Sequence, residues 1–414
     1  MRKILIFSLV FRLILAPWAF HGDSYEFLNW GKSLQEFGTE SFYLRDTPDA
    51  SHPNYPPGFY FVLLANQNIY QVAKNLLWQL NVYVKIFPSN LFLWFESDYG
   101  RILFNKLPAI FADVGLGYLI YLFVSDIKNQ KAGTLASSLF LLSPPIWYNS
   151  AVWGSTESIF SFPLVASFYA IYKKKLILAA LLFAAAFLIK PTVLITLPIF
   201  AFSWLKSADL RLFIKTSLIA IPLFYLAHLP FNANLTPVWI LNLYKNDVLR
   251  EVLGYFVANA FNVWGLLFGF EPKPDSALLL GIQGRLWGYI IYASFAGYFL
   301  WKLRKKISQP NLFFALALLS FVGFLFLTRI HERYFYLTLL FLAPLAGFRR
   351  TIKNAFWLLS GIHLVNLYHY WWVPRIDFLV NFLSLRIVEQ GLILFNIGLF
   401  VWLFTLFRKE YAKT

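Results

Sequence analysis

His21-Gly22-Asp23-Ser24-Tyr25-Glu26 puts a histidine and two acids just beyond the first long apolar run, Ile4 to Phe20. A carboxylate at that position emerges at a membrane surface, where it meets both a lipid-borne and a water-borne reactant. At hydrogen-bond distance from a hydroxyl it can take a proton; standing alone it is as readily a helix cap. Similar residues recur at the ends of later apolar runs: Asn54, Glu157, Lys190 and the turn His331-Glu332-Arg333. Nearly every acid and all six histidines fall at that same set of ends, while the opposite ends are almost purely basic. Each residue also has a plainer reading. Glu157 can cap a helix, Lys190 can snorkel to the surface, and His331-Glu332-Arg333 can be a solvated ion pair.

The elements that position these residues follow from composition. With 59% hydrophobic, 20% aromatic and 14% charged residues and a mean hydropathy of +0.59, the chain lies outside the soluble globular range. Apolar runs of roughly 17 to 20 residues recur along it, each enough for a hydrocarbon core of about 30 Å. An all-α, polytopic membrane protein of about twelve spans, forming one domain over 1–414, is predicted. Ile4 to Phe20 follows Arg2-Lys3, lacks a small-x-small cleavage site and is interrupted by Arg12 and Pro17, so it reads as a retained signal anchor. With no Cys, neither a disulfide nor a thiolate metal site can form.

The net charge of +16 raises a nucleic-acid reading that its distribution opposes. Arg2-Lys3, Lys128/Lys131, Lys173-Lys174-Lys175, Lys206/Arg211/Lys215, Lys302/Arg304/Lys305/Lys306, Arg349-Arg350/Lys353 and Arg408-Lys409/Lys413 occupy alternate gaps between spans. By the positive-inside rule these gaps and both termini are cytoplasmic, and the acid- and histidine-bearing ends are extracytoplasmic. A first extracytoplasmic loop over 20–105 then holds an interfacial helix, Ser24 to Phe37, a Pro-rich turn around Asn54-Tyr55-Pro56-Pro57, and a partly embedded helix, Phe59 to Leu77, made a poor span by Asn66-Gln67-Asn68. A second outer region covers 229–285, with Asn246-Asp247, Arg250-Glu251 and the weakly apolar Val252 to Phe270. Arg12 and Asp113 are charges inside spans, which are costly and usually paired, so they are expected to meet.

The ordered series His21-Gly22-Asp23, Asn54-Tyr55-Pro56-Pro57, Lys106-Leu107-Pro108 with Asp113, Trp153-Gly154, Lys190-Pro191, Asn262-Val263-Trp264 and Arg329-Ile330-His331-Glu332-Arg333-Tyr334 resembles the GT-C superfamily of integral membrane glycosyltransferases. Within it the chain looks most like prokaryotic mannosyltransferase-like proteins and the catalytic subunit of GPI mannosyltransferase I. The resemblance implies a large first outer loop, a polyprenyl-phosphate-linked sugar donor (mannose by resemblance alone), inversion at the transferred sugar, and Asp23 as catalytic base. The acceptor would be a lipid, glycan or protein hydroxyl; the other partners are membrane lipids, with no nucleic acid. A metal-binding Asp-x-Asp is missing, since Gly22 and Ser24 flank Asp23 and the next acid is Glu26. No cofactor is therefore assigned, and a divalent ion stays open.

Such chemistry needs fixed cations beside the departing phosphate. Arg101, Lys106, Lys190 and Arg333 are the candidates, Arg333 and His331 foremost because a tight turn holds them. Tyr55, Trp153 and Trp264 are candidates to stack on sugar faces, and His21, Glu26, Asn54, Glu157 and Glu332 complete the polar layer. Two other readings share the outer site: a transporter or flippase of lipid-linked sugars, and a surface-glycan polymerase or ligase.

Overall fold

A computed structural model describes residues 1–232, 236–249, 254–305 and 307–412. Arg250-Glu251, the start of the Val252 to Phe270 stretch, Lys306 and Lys413 lie outside the described residues. The chain is all-α, apart from a two-residue hairpin pairing Leu278–Leu279 with Ile282–Gln283. Among the described residues four helices are long and apolar enough to cross a membrane: Asp98–Ile127, Leu210–Phe231, Gln309–Phe326 and Arg386–Glu410. A fifth candidate is the pair Arg2–Trp18 and Gly22–Phe37, bent by 89° between its halves.

Many of the remaining apolar runs are broken into shorter pieces. Leu176–Ile189 has only 14 residues, and after the extended Lys190 the chain runs through a 3-10 turn, Pro191–Thr196, into Leu197–Leu205. At 1.5 Å per residue, 14 residues cover about 21 Å, less than the hydrocarbon core. Proline at the first position of the 3-10 turn explains the break, because it has no N–H to continue the preceding helix.

Gln309–Phe326 lies at the centre of the bundle. It is apolar all round, and most of its side chains are buried from Leu312 to Leu325, as such a helix must be. Tyr336–Ala346 packs beside it and is buried along its whole length. Leu210–His228 lies at the edge, with Leu218, Ile221 and Leu226 exposed. The Pro57–Tyr83 helix is longer than the expected Phe59 to Leu77.

The feature that matters for the site is the first bend. Arg2–Leu15 continues as a 3-10 turn through Trp18, and the chain turns through extended Ala19 and His21 into Gly22–Phe37. The first residues of the second helix thereby sit against the Tyr148–Trp153 segment, a single π-type turn between the short Pro144–Trp147 helix and Glu157–Tyr172.

Candidate functional site

His21 caps the Gly22–Phe37 helix, its Nδ1 accepting the Asp23 N–H at 3.3 Å. Asp23 is therefore not the cap. It lies in the first turn, where the helix dipole favours a carboxylate. Ser24 Oγ donates to the Trp153 carbonyl at 2.5 Å, tying this turn to the Tyr148–Trp153 segment. The chain then passes through Gly154 at φ +76°, where a Cβ would come within 2.8 Å of both Lys106 Cγ and Ser24 Oγ. Only glycine combines that backbone conformation with that approach.

Asp23, Arg333, Glu157 and Lys190, from distant parts of the sequence, alternate in sign across the site, with Glu332 beside Arg333. Arg333 Nη1 lies 3.2 Å from Asp23 Oδ2, and Trp153 Nε1 donates to the same oxygen at 3.0 Å. Arg333 also approaches Glu157 Oε1 through Nε and Glu332 Oε1 through Nη1, both at 3.8 Å. Glu157 in turn pairs with Lys190, which donates to Thr156 Oγ1 at 3.0 Å, and accepts from Ser155. Arg333 lies over the Trp153 ring at 5.5 Å and Lys190 over Tyr334 at 4.7 Å, cation–π contacts that help hold both cations in place. Asp23 Oδ1 has no hydrogen-bond partner among the described residues, and its side chain is 18% exposed. One oxygen is anchored and the other is open.

The two acids flanking Arg333 are driven apart. Burial alone would raise the Asp23 carboxyl, but the Arg333 guanidinium, His21 and the Trp153 indole outweigh it and hold the pKa below its ordinary value. Glu332 is fully buried, and burial pushes its pKa up to about 7 against a smaller opposing pull from Arg333. Lys190 is brought down to about 8 by burial, with Glu157 working the other way. Burial lowers His21 to about 4 and His331 to about 3, so both imidazoles are neutral at neutral pH. His21 Nε2, Asn54 Oδ1, His331 Nδ1 and Glu332 Oε2 are buried without a protein partner. Each such atom costs about 1–3 kcal/mol, and four around one charge network is what a polar ligand site carries.

Arg333, Lys190 and Arg329 line a cleft of about 550 Å³ together with Asp247, the polar Asn54, Tyr55, His331 and Tyr334, and the aliphatic Leu194, Ile195 and Leu327. Of the residues singled out from sequence, the structure brings His21, Asp23, Trp153, Glu157, Lys190, Glu332 and Arg333 into one network, and Asn54, Tyr55 and His331 onto the adjoining cleft.

Four others lie elsewhere. Glu26 accepts the Ser51 N–H at 3.0 Å and pins the loop. Arg101 lines a separate small pocket with Lys32, Asn66 and Gln67. Lys106 donates to the carbonyls of Ala16, Ala19, Ala151 and Val152 at 2.7–3.1 Å, so its ammonium grips backbone and is not available to a phosphate. Trp264 gives its indole N–H to the Phe326 carbonyl at 2.8 Å, in a cluster with Phe256 and Phe268. Trp371 was not singled out, yet its indole donates to Glu332 Oε1 at 3.3 Å and its ring lies 4.8 Å from His21. Its only sequence signal is the Trp371-Trp372 pair after an apolar run, a pattern shared with any interfacial anchor.

Among the described residues no group of three or more His, Asp and Glu side chains converges as a metal-ligand set. No known family model matches the chain, and no curated protein matches it.

Proposed function

We propose that the chain is an inverting glycosyltransferase that moves a hexose, by resemblance mannose, from a polyprenyl-phosphate donor to a hydroxyl acceptor. The observation that carries this reading is Asp23: one carboxylate oxygen held by Arg333 and Trp153, the other open, with Arg333 in turn lining a cleft that it shares with Lys190, Arg329 and aliphatic residues. The acceptor hydroxyl gives its proton to Asp23 Oδ1 as its oxygen bonds to the anomeric carbon. The bond from that carbon to the phosphate oxygen breaks on the opposite face, inverting the centre. The lowered pKa keeps Asp23 ionised at neutral pH; a base this weak accepts the proton late, once bond formation has made the hydroxyl acidic. Arg333 and Lys190 meet the charge that grows on the phosphate, in surroundings where water screens little.

The topology belongs to the same proposal. The shorter helices complete a set of about twelve spans, both termini are cytoplasmic, and the site faces the extracytoplasmic side. Glu157 opens one helix and the lysines 173–175 close it, so the polar site and the basic rim lie at opposite ends of that helix. The carrier reading calls for ionisable groups near mid-membrane on several helices, and apart from Arg12 and Asp113 the spans hold few. Arg12 and Asp113 bond to each other, 3.2 Å apart. A polymerase or ligase differs only in its acceptor.

The test is transfer from polyprenyl-phosphate hexose by purified protein supplied with membrane-lipid, glycan and peptide acceptors in turn. Asp23→Asn, which keeps the hydrogen-bonding shape, abolishes transfer and leaves the thermal unfolding midpoint within a few degrees. Full transfer by that variant refutes the assignment.

A further inference from the structure

The buried ion pair Arg12–Asp113 lies inside the bundle, yet both of its ends reach the segments that hold Asp23. Arg12 Nε donates to Asp113 Oδ2 at 3.2 Å and to Ser150 Oγ at 3.3 Å, so the same N–H that closes the ion pair also grips the Tyr148–Trp153 turn, three residues before Trp153. Its Nη2 donates to the Leu141 carbonyl at 3.1 Å, and Nη1 bonds Ser8. Asp113 Oδ1 accepts the Tyr336 hydroxyl at 2.7 Å. Tyr336 is the first residue after the 3-10 turn Glu332–Phe335 and lies three residues beyond Arg333. All four of Arg12, Asp113, Ser150 and Tyr336 are essentially inaccessible to solvent.

Lys106 sits two helical turns before Asp113, and its ammonium takes the Ala151 and Val152 carbonyls. One face of one helix thus holds the Trp153 turn at two successive points. The same face reaches the Arg333 segment through Tyr336.

We infer that Arg12, Lys106, Asp113 and Tyr336 form a clamp that sets the distance between Trp153, the hydrogen-bond donor on Asp23 Oδ2, and Arg333, its ion-pair partner, and so act as positioning residues for the base. The inference rests on the reading of Asp23 given above. A bare structural ion pair would need neither Ser150 nor Tyr336. An Arg and an Asp that satisfy each other stabilise a bundle wherever they sit, whereas each of these two also places a hydrogen bond on one of the two segments that touch Asp23, Arg12 on Ser150 and Asp113 on Tyr336. An indole hydrogen bond and an ion pair converging on one oxygen both weaken with distance, so slack of a few tenths of an ångström in either segment weakens the hold on Asp23.

The test removes one hydroxyl from each arm: Tyr336→Phe on the Arg333 side and Ser150→Ala on the Trp153 side. Ser203→Ala is the control, because it loses a comparable buried bond to the Ile199 carbonyl far from the network. The first readout needs no turnover. Infrared titration of each protein minus its own Asp23→Asn counterpart isolates the Asp23 carboxylate band. The groups facing Asp23 are Arg333, Glu332 and His331 from the turn, His21 beside it, and Lys190 and Tyr55 across the site. None of them is altered by either substitution.

Tyr336→Phe and Ser150→Ala each move the midpoint of the Asp23 titration upward, by about 0.5 to 1 pH, and Ser203→Ala leaves it in place. The second readout is transfer. Both arm variants lower kcat about tenfold with KM within about twofold, the pattern of an interaction that matters in the transition state, and the acid limb of the pH profile moves up with the midpoint. An unmoved Asp23 band in both arm variants overturns the clamp, as does an equal movement in Ser203→Ala. Shifted bands with no transfer by any protein leave the clamp standing and remove the transferase reading. Transfer with unmoved bands does the reverse.

Discussion

Replacing Arg333 with Met removes the charge common to three carboxyl groups, and its cost should depend on pH. The guanidinium lies 3.2 Å from Asp23 and 3.8 Å from both Glu157 and Glu332. With an effective dielectric constant of about 20, the first contact alone is a gross attraction of about 5 kcal/mol. The net loss is smaller, because removing the cation also removes its own burial penalty. One-sided removal from a buried pair typically costs about 3–5 kcal/mol. The 18% exposure of the Asp23 side chain lets water share the load and places the expectation near the lower end, about 3 kcal/mol at neutral pH.

The pH dependence follows from linkage. In the native chain the Asp23 pKa is held below its ordinary value of 3.8. Its contribution to stability is therefore present above the unfolded pKa and is lost as pH falls through the folded one. Arg333→Met abolishes that contribution, so the stability gap between native and variant is widest at neutral pH and narrows on acidification. Denaturant titration in micelles from about pH 7 down to about pH 2, through the unfolded pKa, measures the gap. On the proposed transferase reading, hexose transfer by the variant falls about 10²–10³-fold, the usual effect of losing one preorganised donor to developing charge. Arg333→Lys keeps the charge but loses the fork that reaches several carboxylates, and recovers only part of either quantity. A stability gap that is flat across this pH range, or absent, refutes the electrostatic account of the network.

Two further outcomes follow from the same geometry. Glu332→Gln changes how stability responds to pH. The native carboxyl has its pKa raised to about 7, so its contribution to stability is complete below the unfolded pKa near 4.5 and is lost as pH rises through about 7. The variant therefore shows a flatter stability profile over that window, measured by thermal unfolding at successive pH values. Gly154→Ala puts a Cβ within 2.8 Å of Lys106 Cγ and Ser24 Oγ at a φ of +76°, and should destabilise the fold by about 1–3 kcal/mol while reducing transfer. Native stability in that variant counts against the tight approach of the two segments.

Helix content, the end of the first apolar run just before His21 and the helix that follows it were legible in the amino-acid order, because each follows from local hydropathy and charge. The spacing of seven between Lys106 and Asp113 also put them on one helix face from the outset. The sequence likewise marked Arg12 and Asp113 as charges needing partners, since a buried charge has few alternatives. Local order could not separate cations that face a ligand from those that grip backbone. Lys106 and Lys190 are similar in type and setting, yet one ammonium is enclosed by four carbonyls and the other meets Glu157 beside a cleft. That choice depends on which segments, dozens to hundreds of residues apart, end up adjacent. The same is true of Trp371 against Glu332, of Tyr336 on Asp113, and of Arg333 among three acids. The sequence supplied Asp23 as a carboxylate at the end of an apolar run; tertiary packing alone decided which of its oxygens is anchored and which is open, because the indole donor and the guanidinium on Oδ2 come from segments more than a hundred residues away.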